Sequence, residues 1–142
     1  IMLHNYGRVK RGLFLKHKKE REITADMIEK LRIKTSGQNT ETASLSGGNQ
    51  QKIVIGKWLV SEPKIFILDE PTRGIDVGAK AEIYKLMCEF AKQGMAIIMI
   101  SSDLPELMGM ADRIYVMSEG KITGELSREE ASQEKIMHFA TV

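Results

Sequence analysis

The sequence predicts an α/β fold with a mostly parallel, helix-covered sheet, and three observations carry the prediction. Residues 64–68 and 95–100 are built on short, continuous apolar runs, Ile65 to Leu68 and Met95 to Ile100, the pattern of strands buried on both faces. Residues 78–93 between them place apolar side chains at helical spacing. A short helix at 104–110 and a strand at 113–117 then continue the alternation of strand and helix that marks this fold class.

Each element has its own local reason. Met27, Ile28 and Leu31 recur at helical spacing over 24–32, and the polar run from Thr35 to Thr40 breaks that pattern into a loop. A second helix is expected over 49–60, with Ile53, Val54, Lys57 and Trp58 on or beside its buried stripe and Pro63 ending it. A loop covers 71–77. The helix over 78–93 stops at Gly94, and Cys88 lies on its apolar stripe with Ile83, Tyr84, Met87 and Ala91, which predicts core packing for the thiol. Asp103 and Glu106 stand at capping-box spacing, with Pro105 tolerated in the first turn of the helix they open. Strands at 113–117 and 121–125 flank Ser118-Glu119-Gly120, a hairpin turn. Ser127-Arg128-Glu129-Glu130 is a second capping box, expected to open a final helix carrying Ile136, Met137 and Phe139.

With 142 residues, 42% of them hydrophobic, the chain is about one domain long and can bury a core. The formal charge of +2 is near balance, but Arg8, Lys10, Arg11, Lys16, Lys18, Lys19 and Arg21 cluster. Interspersed with Glu20 and Glu22 they read as a solvated helix face rather than a nucleic-acid or membrane contact. A single cysteine excludes a disulfide framework or a cysteine metal cluster and fits a reducing compartment. No apolar run approaches the roughly 20 residues that span a bilayer, and no signal peptide is visible, so a membrane role requires a partner that spans it.

The chemistry is concentrated in two places. Ser46-Gly47-Gly48 precedes a helix, where backbone N–H groups can meet a phosphate; alone, it reads equally as an N-cap. About two dozen positions later the run Ile65-Phe66-Ile67-Leu68 ends in Asp69-Glu70-Pro71-Thr72, where one carboxylate can hold Mg²⁺ and the other activate water. Alone, these are strand-end carboxylates bracing a loop. The two parts in this order and spacing point to a nucleotide-hydrolysing site, or half of one.

Leu45-Ser46-Gly47-Gly48-Asn49-Gln50 followed by Asp69-Glu70-Pro71-Thr72 resembles the signature motif and Walker B strand of ABC-type ATPases. Asn49, where most of that superfamily carries Gln, together with the stretches from Pro71 to Lys80 and from Ile100 to Leu107, resembles one subgroup. This is the carboxyl-terminal ATPase half of the tandem proteins that energise import of ribose, galactose and xylose. The P-loop pattern is not found: Gly7 and Gly12 have the right separation, but Leu13 and Phe14 follow where Lys and Ser or Thr belong. The resemblance therefore implies a partial P-loop ABC ATPase domain, its first strands, P-loop helix and adenine-stacking aromatic lying before Ile1. Ile1-Met2-Leu3 opens without a cap or strand start, as expected of a chain cut from a longer one. Residues 1–60 would be a helical signature subdomain and 61–142 the Walker B and switch part of the core.

The resemblance also assigns roles. Ser46, Gly47, Gly48, Gln50 and Asp76 would contact ATP held by a partner ATPase half in a head-to-tail dimer; Asp69 would hold Mg²⁺ and Glu70 polarise water. Ser102 stands where most of the superfamily has a switch histidine, and serine can donate one hydrogen bond but cannot act as a cation. That implies an asymmetric pair in which Glu70 and Ser102 belong to the weaker site. Transmembrane permease subunits are the implied partners and a sugar-binding protein an indirect one, with no nucleic acid expected. The implied location is the cytoplasmic face of the cell membrane. By itself this stretch would be inactive. Two other readings stand beside this one: the ATPase head of a chromosome or DNA-repair protein, which would need coiled-coil arms or a zinc insertion, and a non-catalytic interaction piece.

Overall fold

The computed structural model describes residues 1, 10–11, 14–15 and 17–141. By contact density it forms two compact units, 1–98 and 99–142. This division rests on a different property from the motif-based boundary at 60/61.

In the first unit, β1 (Lys10–Arg11) and β2 (Phe14–Leu15) pair antiparallel. Helix α1 (His17–Lys30) begins earlier than its apolar periodicity, because Lys, Glu and Arg favour helix without contributing a buried face. His17, Lys18, Lys19, Arg21 and Glu22 are exposed, the solvated face expected of the basic stretch; Arg8 and Lys16 lie outside the described residues. Helix α2 spans Gly47–Leu59, β3 Ile65–Asp69, α3 Val77–Lys92 and β4 Ala96–Ile100. Strands β3 and β4 pair, and the Ala96 N–H donates to the Lys64 carbonyl at 2.9 Å.

The three α-helices among the described residues of this unit end by one device. A residue in the left-handed region follows each: Arg32 (φ 52), Glu62 (φ 52) and Gly94 (φ 90). After α1, the Arg32 N–H reaches the Glu29 carbonyl and the Ile33 N–H the Ile28 carbonyl, both at 2.9 Å; Gly94 and Met95 repeat this on Ala91 and Phe90. After α2 only the Glu62 bond to Leu59 forms, since Pro63 has no N–H. Gly94 was expected as a stop. Arg32 and Glu62, with side chains, carry no such signal.

Several expectations about burial are corrected. The buried face of α2 is Gly48, Lys52, Ile55, Gly56 and Leu59, while Val54 and Trp58 are 50% and 45% exposed. The two glycines set that face: a Cβ on Gly56 would lie 2.7 Å from Leu31 Cδ1, and one on Gly48 2.4 Å from Ala79 Cβ. Cys88 is exposed, because the stripe that packs on α3 is Ile83, Leu86, Met87 and Phe90 and Cys88 falls off its edge. Strand β3 is covered on one face only among the described residues. Phe66 and Leu68 are buried, whereas Ile65 and Ile67 are 60% and 62% exposed.

In the second unit, α4 (Leu104–Met110), β5 (Arg113–Ser118), β6 (Lys121–Ser127) and α5 (Gln133–Ala140) enclose Ile114, Val116, Leu126 and Ile136. The β5–β6 hairpin turns through Glu119 (φ 46) and Gly120 (φ 77), both left-handed, as a two-residue type I′ loop requires. A register shift after Val116 accommodates Thr123, whose Oγ1 donates to the Phe139 carbonyl at 2.7 Å and so ties the irregularity to α5. Of the second capping box only the glutamate half forms, and it opens no helix. The Ser127 N–H and Oγ both donate to Glu130 Oε2, while α5 starts at Gln133 with Ser132 as its cap.

Candidate functional site

Ser46 occupies the N-cap position of α2, with extended backbone (φ −61, ψ 153), yet its side chain makes no capping bond to the helix. Instead its Oγ accepts from Asn49 Nδ2 at 2.9 Å, and Asn49 Oδ1 accepts from the backbone N–H of Lys34 at 2.9 Å. Gln50 turns back on its own motif: Nε2 donates to the Leu45 carbonyl at 2.8 Å. Ser46 and Gly47 are exposed and Gly48 is buried.

The segment 69–76 carries acidic candidates at both ends. Asp69 is exposed at the carboxyl end of β3, where ligands of α/β proteins gather. Glu70 adopts φ 47, a left-handed backbone costing about 1 kcal/mol or more in a non-glycine residue, and one unusual before proline. Pro71 and Thr72 are buried, so the surrounding packing holds that turn. At the far end Asp76 caps α3, its Oδ1 accepting from the Ala79 N–H at 2.9 Å, and remains exposed. A Cβ on Gly47 would sit 3.5 Å from Ile75 Cγ2, and Gly48 abuts Ala79. The signature turn and the Asp76 turn are therefore adjoining, and both offer exposed polar groups.

A polar network braces this corner from behind. Lys52, 2% exposed, donates to the Arg32 carbonyl at 3.0 Å and to Glu82 Oε2 at 2.6 Å; Lys34 Nζ lies 3.6 Å from Glu82 Oε1. Arg32 pairs with Glu89 at 3.0 Å. Sequence reasoning missed Asn49 as a bracing residue, and missed Lys34, Lys52 and Glu82. Lys52 had a signal, its spacing from Gly48, Ile55, Gly56 and Leu59.

The Lys52 hydrogen bond first, and then its charge, hold the Glu82 carboxyl below its ordinary value of 4.5, with Lys34 acting in the same direction and burial opposing. Because the folded-state value is depressed, this pairing adds stability above about pH 4.5 and loses it as pH falls through the lower folded-state value. Glu82→Gln should therefore destabilise at neutral pH, with the deficit closing in acid. Denaturant melts at pH 7 and pH 3 check this, and an equal deficit at both would sink it.

Ser102 belongs to the second unit and is exposed. Its neighbour Ser101 donates to the buried Glu106 carboxylate at 2.5 Å and accepts from the Asp103 N–H at 3.0 Å. Asp103 in turn caps α4 by accepting from the Glu106 N–H at 3.2 Å. The expected capping box is thus closed through Ser101. Among the described residues no group of three or more His, Cys, Asp or Glu could hold a metal, and no helix is long and apolar enough to cross a membrane. A Mg²⁺ ion that takes one carboxylate and otherwise phosphate and water oxygens needs no such group, and exposed Asp69 fits it.

The family described as ABC transporter matches residues 3–73, half of the chain. The chain belongs to the ABC transporter family. This ABC chain is 57% identical over 99% of its length to the ribose import ATP-binding protein RbsA of Oceanobacillus iheyensis. It is 54% identical, again over 99%, to the xylose import ATP-binding protein XylG of Thermoanaerobacter pseudethanolicus. It spans only 28% of the length of each of these two relatives. Among solved structures, cbiO1 from Clostridium perfringens, part of the ABC transporter complex cbiONQ, superimposes with a TM-score of 0.73 at 31% identity, covering 93% of this ABC chain and 52% of that one.

Proposed function

We propose that the chain is the signature and Walker B portion of an ATP-hydrolysing subunit that powers sugar import, seated peripherally on the cytoplasmic side of a membrane permease. Residues 1–60 supply the helical signature part and 61–142 the strand-bearing part. The observation that carries this reading is the Ser46-Gly47 turn: exposed, uncapped by its own serine, and adjoining the exposed Asp76. The printed functions of the ribose and xylose relatives support the sugar-import assignment.

In this reading the Ser46 hydroxyl and the N–H groups of Gly47 and Gly48 meet the terminal phosphate of ATP held by a partner ATPase half. Gln50 acts indirectly, by holding the Leu45 carbonyl and so the entry to the turn. Asp76 faces the same partner. Closure of the pair is favoured while the phosphate bridges both faces and is released when hydrolysis removes that bridge, which gives the permease two states to follow. At the chain's own nucleotide, Asp69 would hold Mg²⁺, which when bound supplies charge stabilisation to the phosphoryl oxygens. Glu70 orients and polarises the attacking water there, and Ser102 donates a single hydrogen bond. The sugar-binding protein acts through the permease.

The test is ATP turnover by the full-length protein assembled with its permease. Turnover stimulated by a transported sugar is expected. Turnover indifferent to every transported sugar but stimulated by DNA would overturn the assignment.

A further inference from the structure

We propose that Asn49 is a positioning residue that commits the Ser46 hydroxyl to act as a hydrogen-bond donor, by holding the serine oxygen from behind. The inference rests on the phosphate-contacting role given to Ser46 above.

An amide side chain can be turned either way, and here the backbone decides. The Lys34 N–H faces Asn49 at 2.9 Å and is a donor, so the amide must present its oxygen there and its NH₂ group to Ser46 Oγ, also at 2.9 Å. That N–H is itself immobilised. Lys34 follows the buried Ile33 and the left-handed Arg32, whose carbonyl receives Lys52 Nζ at 3.0 Å, and the Lys34 ammonium reaches Glu82. The orientation of Asn49 is therefore imposed by a turn fixed to both α2 and α3.

Two consequences follow for Ser46. A lone pair of Oγ is occupied by a donor, so its proton points elsewhere, and it meets no acceptor among the described residues. Second, an N-cap serine ordinarily spends its oxygen on a backbone N–H of the first turn. Here Asn49 takes the place of that N–H, and the first turn keeps its N–H groups without a side-chain cap. An exposed hydroxyl set to donate, beside uncapped N–H groups, suits an acceptor-only anion such as a terminal phosphate.

The experiment is steady-state ATP turnover, across ATP concentration, by the full-length protein with its permease, for Asn49→Ala, Asn49→Asp, Ser46→Ala and the double variant Ser46→Ala with Asn49→Ala. Asn49→Ala should lower kcat roughly tenfold and leave the KM for ATP within about twofold. Asn49→Asp should be worse than alanine. Its carboxylate still accepts from the Lys34 N–H and keeps the size, but it draws the serine proton inward. A role in packing alone predicts the opposite order. In the Ser46→Ala background, removing Asn49 should cost no more than about twofold. Aspartate equal to or better than alanine, or an undiminished Asn49→Ala effect without Ser46, overturns the proposal and leaves the site reading intact. Wild-type turnover by Ser46→Ala overturns both.

Discussion

Ser46→Arg in the full-length protein will abolish ATP hydrolysis coupled to sugar uptake, lowering turnover by on the order of a thousandfold, whereas Ser102→Ala will lower it by less than about tenfold. The reasoning is local. Ser46 is exposed and its oxygen is bonded only within its own turn, so arginine can be accommodated there without disturbing the core. What arginine cannot do is occupy the small volume between a helix start and an incoming phosphate while leaving the N–H groups accessible. Ser102 offers one neutral hydrogen bond, and the turn around it is held by Ser101, Asp103 and Glu106. Phosphate release and sugar uptake, measured together with the same permease, give the ranking, and the reverse order would remove the asymmetric-pair reading.

The second large effect separates two adjacent glycines. Gly48→Ala places a methyl 2.4 Å from Ala79 Cβ, which belongs to a side chain with no rotamer into which to retreat, so α2 and α3 must move apart. Overpacking of this kind costs about 1–3 kcal/mol, more than the roughly 0.5–1 kcal/mol that alanine gains over glycine inside a helix. Gly47→Ala meets Ile75 at 3.5 Å, an ordinary contact. Thermal melts of the full-length protein should fall for Gly48→Ala and stay near wild type for Gly47→Ala. Turnover should fall in both, since a methyl on Gly47 crowds the turn proposed to face phosphate. Identical melting of the two variants would contradict the packing described here.

How much was legible from residues alone follows the range of the interactions involved. Strand and helix alternation, Gly94 as a terminator, Asp103 as a cap and the hairpin through Gly120 were readable, because each depends on neighbours in sequence. Arg32 and Glu62 were not, because residues with a Cβ take the left-handed region only when packing imposes it. The apolar run at 65–68 did not announce that Ile65 and Ile67 would be uncovered among the described residues, since composition does not report which face finds a partner. At the candidate site, the motifs single out Ser46, Asp69, Glu70 and Asp76 as proposed contacts. They could not reveal that Asn49 answers to a backbone N–H fifteen positions away, or that Lys52 is sealed against Glu82 thirty positions on.

The segment 69–76 has a mechanical consequence. In the proposed assignment its first residues, Asp69 and Glu70, attend the chain's own nucleotide, and Ile75 near its far end packs beside Gly47, in the turn assigned to the neighbour's. Pro71 and Thr72, at the start of the span between them, are buried. Under that assignment, crosstalk between paired nucleotides would need no long relay through the molecule, since one short segment would touch both.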